Sequence, residues 1–314
     1  MSSILSAKHF HDEKAAYRWV EARLWPNGPE CPRCGQHDRI SKMKGKSTRI
    51  GTYKCYQCRK PFTVKVGTIF ESSHVKMHIW LQAIHLMAAS KKGFSTNQFA
   101  RVLGVSLQTA WFMSHRIREA MKDKGGVFGG GGGPVESDET YFGLNPDVPR
   151  SRTPIRSMNA VLTLVDRESG AARSMVMKDL NSSTIAAVFA ENVAKEARIY
   201  TDEAPHYKRP AKEHAAHETV SHARGEFYKA GDPTIHTQCV EGYYSVFKRG
   251  MRGTYQHCSR KHLHRYCIEF DFRYSHRAAL GVDDAQRADA LLQGAKGRRL
   301  TYQTTRSGHA AAQA

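Results

Sequence analysis

The chain has 314 residues, 40% of them hydrophobic, which is enough for one medium catalytic domain and one or two small modules. A formal net charge of +19, with a pI near 9.7, points to a polyanionic partner, and nucleic acid is the usual one. No run approaches the roughly 18 apolar residues that cross a bilayer, and no signal-peptide core precedes the first charges, so a membrane reading finds no support and a cytoplasmic protein is expected.

Residues 10–28 have helical spacing and stop at Pro26-Asn27-Gly28. Two cysteine pairs follow, Cys31-Pro-Arg-Cys34 and Cys55-Tyr-Gln-Cys58, twenty residues apart. Two such knuckles can set four thiolates tetrahedrally around Zn²⁺, and Gly35 suits the tight turn of the first. With no further ligand and no open position, the zinc is expected to be structural and the folding of this segment metal-dependent. The odd cysteine count, with Cys239, Cys258 and Cys267 scattered late, argues against a disulfide framework. Short β-like runs at 48–50 and 62–64 complete an N-terminal helix and zinc ribbon over residues 10–68.

Residues 76–124 read as about three helices. Within them a helix capped at Ser95, a turn at Leu103-Gly104-Val105 and a second helix capped at Ser106 match a helix-turn-helix, with Phe99, Val102, Val105 and Ala110 packing the pair. The second helix is expected to present Gln108, Thr109, His115, Arg116 and Arg118 to bases or phosphates. An ordinary helical hairpin is the alternative. The glycine run over 125–134 is then expected to be a linker or mobile loop, because each glycine loses the most backbone entropy on ordering.

Beyond the run, strands are predicted at 135–142, 159–165, 173–178 and 198–201, with a turn at Arg167-Glu168-Ser169-Gly170 and a helix over 182–197 capped by Asn181 or Ser182. This order suggests an α/β domain with a mixed sheet over 135–280. Its strands carry acids where acids are costly: Glu136, Asp138 and Glu139 in the first, Asp202 at the end of the fourth. Side by side, those strands would converge Asp138 and Asp202 on one cation, and Glu241 opens a later helix. Three carboxylates favour Mg²⁺ or Mn²⁺, and two such ions suit in-line attack on phosphate. Residues 240–277 read as helical and basic with interleaved aromatics. There Lys248, two turns after Glu241, and Arg249 and Arg252 suit a phosphate backbone. From about 281 to 314 the chain is expected to be a disordered tail.

Two competing motifs fail. His262-Leu263-His264 has Tyr266 nearby but no carboxylate to complete a metal site. His217 and His222 are five apart, not the four that put both histidines of an HExxH helix on one face.

Taken in order, the motifs resemble the ISXO-like insertion-sequence transposases over roughly residues 15–280. The matching stretches are Trp25-Pro-Asn-Gly28 before the first knuckle, Gly67-Thr-Ile-Phe70, Ala110-Trp111, Ile117-Arg118, Asp138-Glu139-Thr140-Tyr141, Thr201-Asp202, Glu241-Gly242 with Lys248-Arg249-Gly250, and His262 to Tyr274. The resemblance implies an RNase H-like catalytic fold with Asp138, Asp202 and Glu241 as metal ligands. It also implies a DNA transposase of a bacterial insertion sequence, located at the nucleoid. Such an enzyme binds double-stranded terminal inverted repeats, frees a 3′-hydroxyl and joins it to target DNA, working as a homo-oligomer when bound. The chain departs from the pattern in its long glycine run and at Gln238, where similar proteins often carry Asn. Glu226 and Asp232 are the alternative third acids. A regulator that retains only repeat binding is the alternative function.

Overall fold

In the computed structural model, which describes residues 3–301, two compact units form. The first gathers residues 3–89, 96–121 and 284–301; the second holds residues 90–95 and 122–283.

The first unit opens with helix α1, Glu13–Leu24, whose N-terminus is capped by the Asp12 carboxylate accepting from the Ala15 N–H (2.7 Å). Its buried face is Ala16, Tyr17, Val20 and Leu24, close to one helical stripe. Strands β1 (Ile40–Lys42), β2 (Tyr53–Cys55) and β3 (Pro61–Phe62) form an antiparallel sheet in that order. The expected β-like run at 48–50 lies in the turn between β1 and β2 instead, closed by the Thr48 N–H on the Gly45 carbonyl (3.1 Å) and the Thr52 hydroxyl on the Arg49 carbonyl (2.8 Å). Local side-chain bonding of this kind competes with strand pairing.

Helix α2, Met77–Ala89, is buried around most of its circumference. Its first N–H groups are capped from 64 residues away: the Glu13 carboxylate accepts from the N–H groups of Met77 (2.8 Å) and His78 (3.2 Å). Helices α3 (Thr96–Leu103) and α4 (Leu107–Ala120) follow one another across a short turn, with Gly104 between them and Ser106 capping α4 through the Thr109 N–H (3.2 Å). Phe99 and Ala110 are buried as expected; Val102 is not, at 54% exposed, and Leu103 packs in its place.

In the second unit strands β4 (Pro134–Leu144), β5 (Met158–Asp166), β6 (Ala172–Met177), β7 (Arg198–Asp202) and β8 (Ala216–Val220) form one sheet in the order β6-β5-β4-β7-β8. β4, β5 and β6 are mutually antiparallel, whereas β7 pairs parallel with β4 and β8 parallel with β7. Helices α5 (Ser182–Asn192) and α6 (Pro205–Ala211) bury one face with Val135, Leu162, Leu164 and Ile199. Helices α7 (Gln238–Gly250) and α8 (Arg260–Ser275) bury the other with Phe142, Val161 and Val165. This mixed sheet with helices on both faces is the RNase H-like arrangement. Asn181 caps α5 with a reciprocal Thr184 bond, as its position in the sequence suggests. The His217–His222 segment is strand β8 and its exit, not a helix.

Two expectations about order are overturned. The glycine run is not a free linker. Phe128 is buried, and its backbone pairs with Asn192 and Ala194 (2.8 and 2.9 Å). Gly129, at φ +72°, sits where a Cβ would overlap Ala197 and Val135. The glycine there permits close approach rather than motion. The stretch after 281 is not a structureless tail either, because Asp284–Gln293 forms helix α9. Leu291 and Leu292 are fully buried, and the Arg287 guanidinium donates to the Ala88 carbonyl at the C-terminus of α2 (3.0 Å). The remainder of that stretch, 302–314, lies outside the described residues.

Candidate active site and zinc cluster

The β4 alternation sorts its acids. Successive side chains of a strand point to opposite faces, so Glu136 and Asp138 share the α7 face while Glu139 turns to α6. There Glu139 accepts a hydrogen bond from the buried Tyr207 hydroxyl (2.6 Å), with His206 at 3.4 Å. Glu139 is thus engaged in packing α6, although it adjoins Asp138 in sequence.

Asp202 ends β7. The parallel register pairs Val135 with Ile199 and Glu136 with Tyr200, and two further residues along each strand bring Asp138 level with Asp202 on the same face. Asp202 is braced by the Ala204 N–H (3.0 Å) and Asp138 by the Glu139 N–H (2.8 Å), each through one carboxylate oxygen. Glu241 stands in the first turn of α7, and one turn later the Tyr244 hydroxyl donates to the Asp138 carbonyl (2.6 Å). That bond seats α7 on the face of the sheet that carries Asp138. The His222 imidazole lies 3.2 Å from the Glu241 carboxylate.

The ligand oxygens of the three acids do not all approach within 4.8 Å of one another, but Asp138 feels the charge of the other two. Burial, then the charge of Glu139, push Asp138 up to about 7 against the opposing Glu139 N–H, and the charges of Asp202 and Glu241 add to the rise. A pocket that penalises its own negative charge in this way, and offers hard oxygen donors, suits a divalent cation. The alternative third acids do not join it. Glu226 accepts from the Ser221 N–H (3.1 Å), and Asp232 caps Thr234 through its N–H and hydroxyl (2.9 and 2.6 Å).

Behind these carboxylates lies a cluster that sequence reasoning missed. Glu136, fully buried, accepts from Arg167 Nε (2.6 Å) and from the Val240 N–H in the first turn of α7 (2.9 Å). The same guanidinium donates to the carbonyls of Thr234 (2.5 Å) and His236 (2.8 Å) and to His236 Nδ1 (2.6 Å). Since that nitrogen accepts from Arg167, its 3.3 Å approach to Glu136 is a contact between acceptors and not an ion pair. Burial and the Arg167 charge depress the His236 imidazole accordingly. Glu136, His236 and Cys239 lie within 4.8 Å of one another, the spacing of a metal site. The arginine already supplies the cation there, and burial followed by the Glu136 charge pushes the Cys239 thiol up to about 11. The cluster is therefore closed to a metal.

The zinc-ribbon cysteines are brought together as predicted. All four sulfurs lie within 4.8 Å, with Cys31–Cys58 and Cys34–Cys55 both at 3.7 Å. A tetrahedron with Zn–S bonds of about 2.3 Å has edges of roughly 3.8 Å, so the cluster fits zinc. Gly35, at φ +69°, makes the first knuckle turn.

Of the predicted DNA-contacting residues in α4, only Gln108 (exposed) and Thr109 (half-buried) face outward. His115, Arg116 and Arg118 are buried. Arg116 donates to the carbonyls of Ile69 (2.8 Å), Glu71 (2.7 Å) and Leu300 (3.2 Å), so it ties loops within the first unit and is not available to DNA. Arg116→Ala is expected to destabilise the protein by about 3 kcal/mol, because three carbonyls lose a charged donor. Urea unfolding would measure the loss. Lys248 is half-buried, 5.7 Å from the Tyr244 ring centroid, while Arg249 and Arg252 are exposed.

Residues 131–275 match the family model of the ISXO2-like transposase domain, and residues 11–61 match that of the transposase zinc-ribbon domain. A protein in transposable element ISH50 of Halobacterium salinarum is 27% identical over 286 residues, covering 86% of this chain and 93% of that one. Among solved structures, the HTLV-2 integrase catalytic core domain in complex with magnesium is similar at 12% identity and a TM-score of 0.28, over 46% of this chain and 86% of that one. A simian T-cell lymphotropic virus intasome in complex with the PP2A regulatory subunit B56 gamma is similar at 14% identity and 0.29, over 56% and 63% respectively. Among the described residues no helix is long and apolar enough to cross a membrane.

Proposed function

We propose that this chain, whose residues 131–275 and 11–61 match the ISXO2-like transposase domain and the transposase zinc-ribbon domain, is an insertion-sequence transposase that cuts at the element's terminal inverted repeats and joins the freed 3′-hydroxyl to target DNA. The observation that supports the reading is that Asp138 and Asp202 fall level on adjacent parallel strands, with Glu241 in the first turn of the helix packed there and both charges acting on Asp138. In this reading those three carboxylates hold the catalytic divalent ions, magnesium or manganese. Bound there, the ions would activate a water or hydroxyl and stabilise the leaving oxygen in an in-line displacement.

The chain's own groups do the rest. Tyr244 holds the Asp138 backbone against α7. Lys248 shares a helical face with Glu241 and Tyr244, at seven and four residues, and would meet the phosphate of the strand being cut. Exposed Arg249 and Arg252 extend that positive track along the duplex. The outward Gln108 and Thr109 at the start of α4 suit base edges of the terminal repeat. The four cysteines hold a structural zinc. Assembly as a homo-oligomer on paired ends, and location at the nucleoid, belong to the same reading.

Incubation of the protein with element-end duplex, target DNA and Mg²⁺ tests it. The expected result is a joined product that Asp202→Asn reduces by about 10³-fold or more. Undiminished joining by Asp202→Asn overturns the catalytic assignment. Repeat binding without any cleavage by the wild-type chain would instead identify a regulator.

A further inference from the structure

The Arg167 guanidinium lies where the three acid-bearing elements can all be reached. On β4 it is bonded to Glu136, two residues before Asp138 and on the same strand face. On β7 its Cζ lies 5.0 Å from the ring centroid of Tyr200, two residues before Asp202. Ahead of α7 it holds the carbonyls of Thr234 and His236, and Glu136 itself holds the Val240 N–H beside Glu241. Tyr200 is 3% exposed and Glu136 fully buried, so neither partner has room to drift. A chain of short, charge-assisted bonds in a dry site is stiff, and loss of one member leaves the others without a partner in low dielectric.

We propose that Glu136 and Arg167 are positioning residues that set the spacing of the Asp138, Asp202 and Glu241 carboxylates and thereby the protein's affinity for divalent cations. The inference rests on the reading of those three acids as metal ligands. Glu136 is fully buried against Arg167 and the Val240 N–H, so the pair would act through the three acids rather than on the metal itself. Their part resembles that of outer-shell partners, whose removal typically weakens metal binding by about 10–100-fold. Arg167 is specific to the task because its fork reaches several acceptors at once, which a lysine ammonium cannot do.

The test is Mn²⁺ binding to the zinc-loaded full chain, followed by calorimetry and by the Mn²⁺ electron paramagnetic resonance signal. Glu136→Gln and Arg167→Lys are compared with wild type and with Asp202→Asn. Arg167→Lys keeps a cation beside the buried Glu136 and so preserves folding should Glu136→Gln fail to fold. Both variants are expected to weaken Mn²⁺ about tenfold or more. Their strand-transfer activity should require correspondingly higher Mn²⁺ but reach the wild-type plateau, whereas general damage to the fold would lower the plateau. If Asp202→Asn abolishes Mn²⁺ binding while Arg167→Lys and Glu136→Gln bind as tightly as wild type, the positioning role is overturned. If Asp202→Asn leaves the isotherm unchanged, the metal-ligand reading itself falls and this inference with it.

Discussion

Asp138→Asn is expected to abolish strand transfer, by about 10³-fold or more, while making the metal-free protein more stable. The two effects share one cause. Folding brings Asp138 into a pocket where burial and the neighbouring carboxylates push it up to about 7, far above its ordinary 3.8. A carboxyl whose folded pKa is raised binds its proton more tightly in the native state than in the unfolded chain. Its contribution therefore turns unfavourable as pH climbs from about 4 to about 7, and the full penalty is present at pH 8. With the side chain only part-buried, that penalty is about 1–2 kcal/mol after allowance for solvent screening. The amide carries no charge, so the variant should melt higher at pH 8 in chelator and nearly match wild type at pH 5. Divalent ions should raise the melting temperature of wild type and leave that of the variant almost unmoved. Asp271, pushed to about 7 by burial against its bonds from Ser174 and Tyr243, has the same sign and stays in both proteins. Some fall in stability with rising pH therefore persists in Asp138→Asn. A variant less stable than wild type at pH 8 without metal would contradict this account.

The placement of Asp138 and Asp202 was readable in outline from the sequence because both sit in strands, where an acid is costly unless it is paired or bound to a cation. Alternation then separates Asp138 from Glu139 without any coordinates. What alternation could not supply was the partner of Glu136. Arg167 reads as the first residue of a turn, and its bonds reach 31 to 69 residues along the chain. Burial of α4 was hidden for a related reason. A helix rich in His and Arg looks solvated on its own, yet Arg116 meets carbonyls contributed by Ile69, Glu71 and Leu300. The local signals that did transfer were caps: Asn181 before α5 and Ser106 before α4 depend only on neighbours within one turn. Strand β8 and helix α9 escaped because each is short and takes its stability from what it packs against.

Removing zinc should unfold the ribbon while the α/β unit keeps its cooperative melt. The ribbon's own core is small: Cys31, Cys55 and Phe62 are buried, with Trp25, Ile40, Tyr53, Cys58 and Val66 packed partly around them. Its strands have three, three and two residues, so few backbone bonds resist opening. Aromatic packing of Phe62 on Trp25 (5.8 Å) and Tyr53 (6.0 Å) adds about 1 kcal/mol per pair. A module this size has too little apolar surface to offset its chain entropy, and a structural zinc contributes about 10 kcal/mol or more. A strong chelator, or Cys34→Ser, should therefore release one equivalent of zinc and erase amide-exchange protection over Tyr53–Cys55. The α/β unit, whose sheet is buried on both faces by α5 to α8, contains none of the four cysteines and should keep its protection along β4 and β5. The discriminating measurement is exchange at those two places in one sample. Protection at Tyr53–Cys55 that survives complete zinc removal would mean that packing alone holds the ribbon, with the four thiols clustered for another reason.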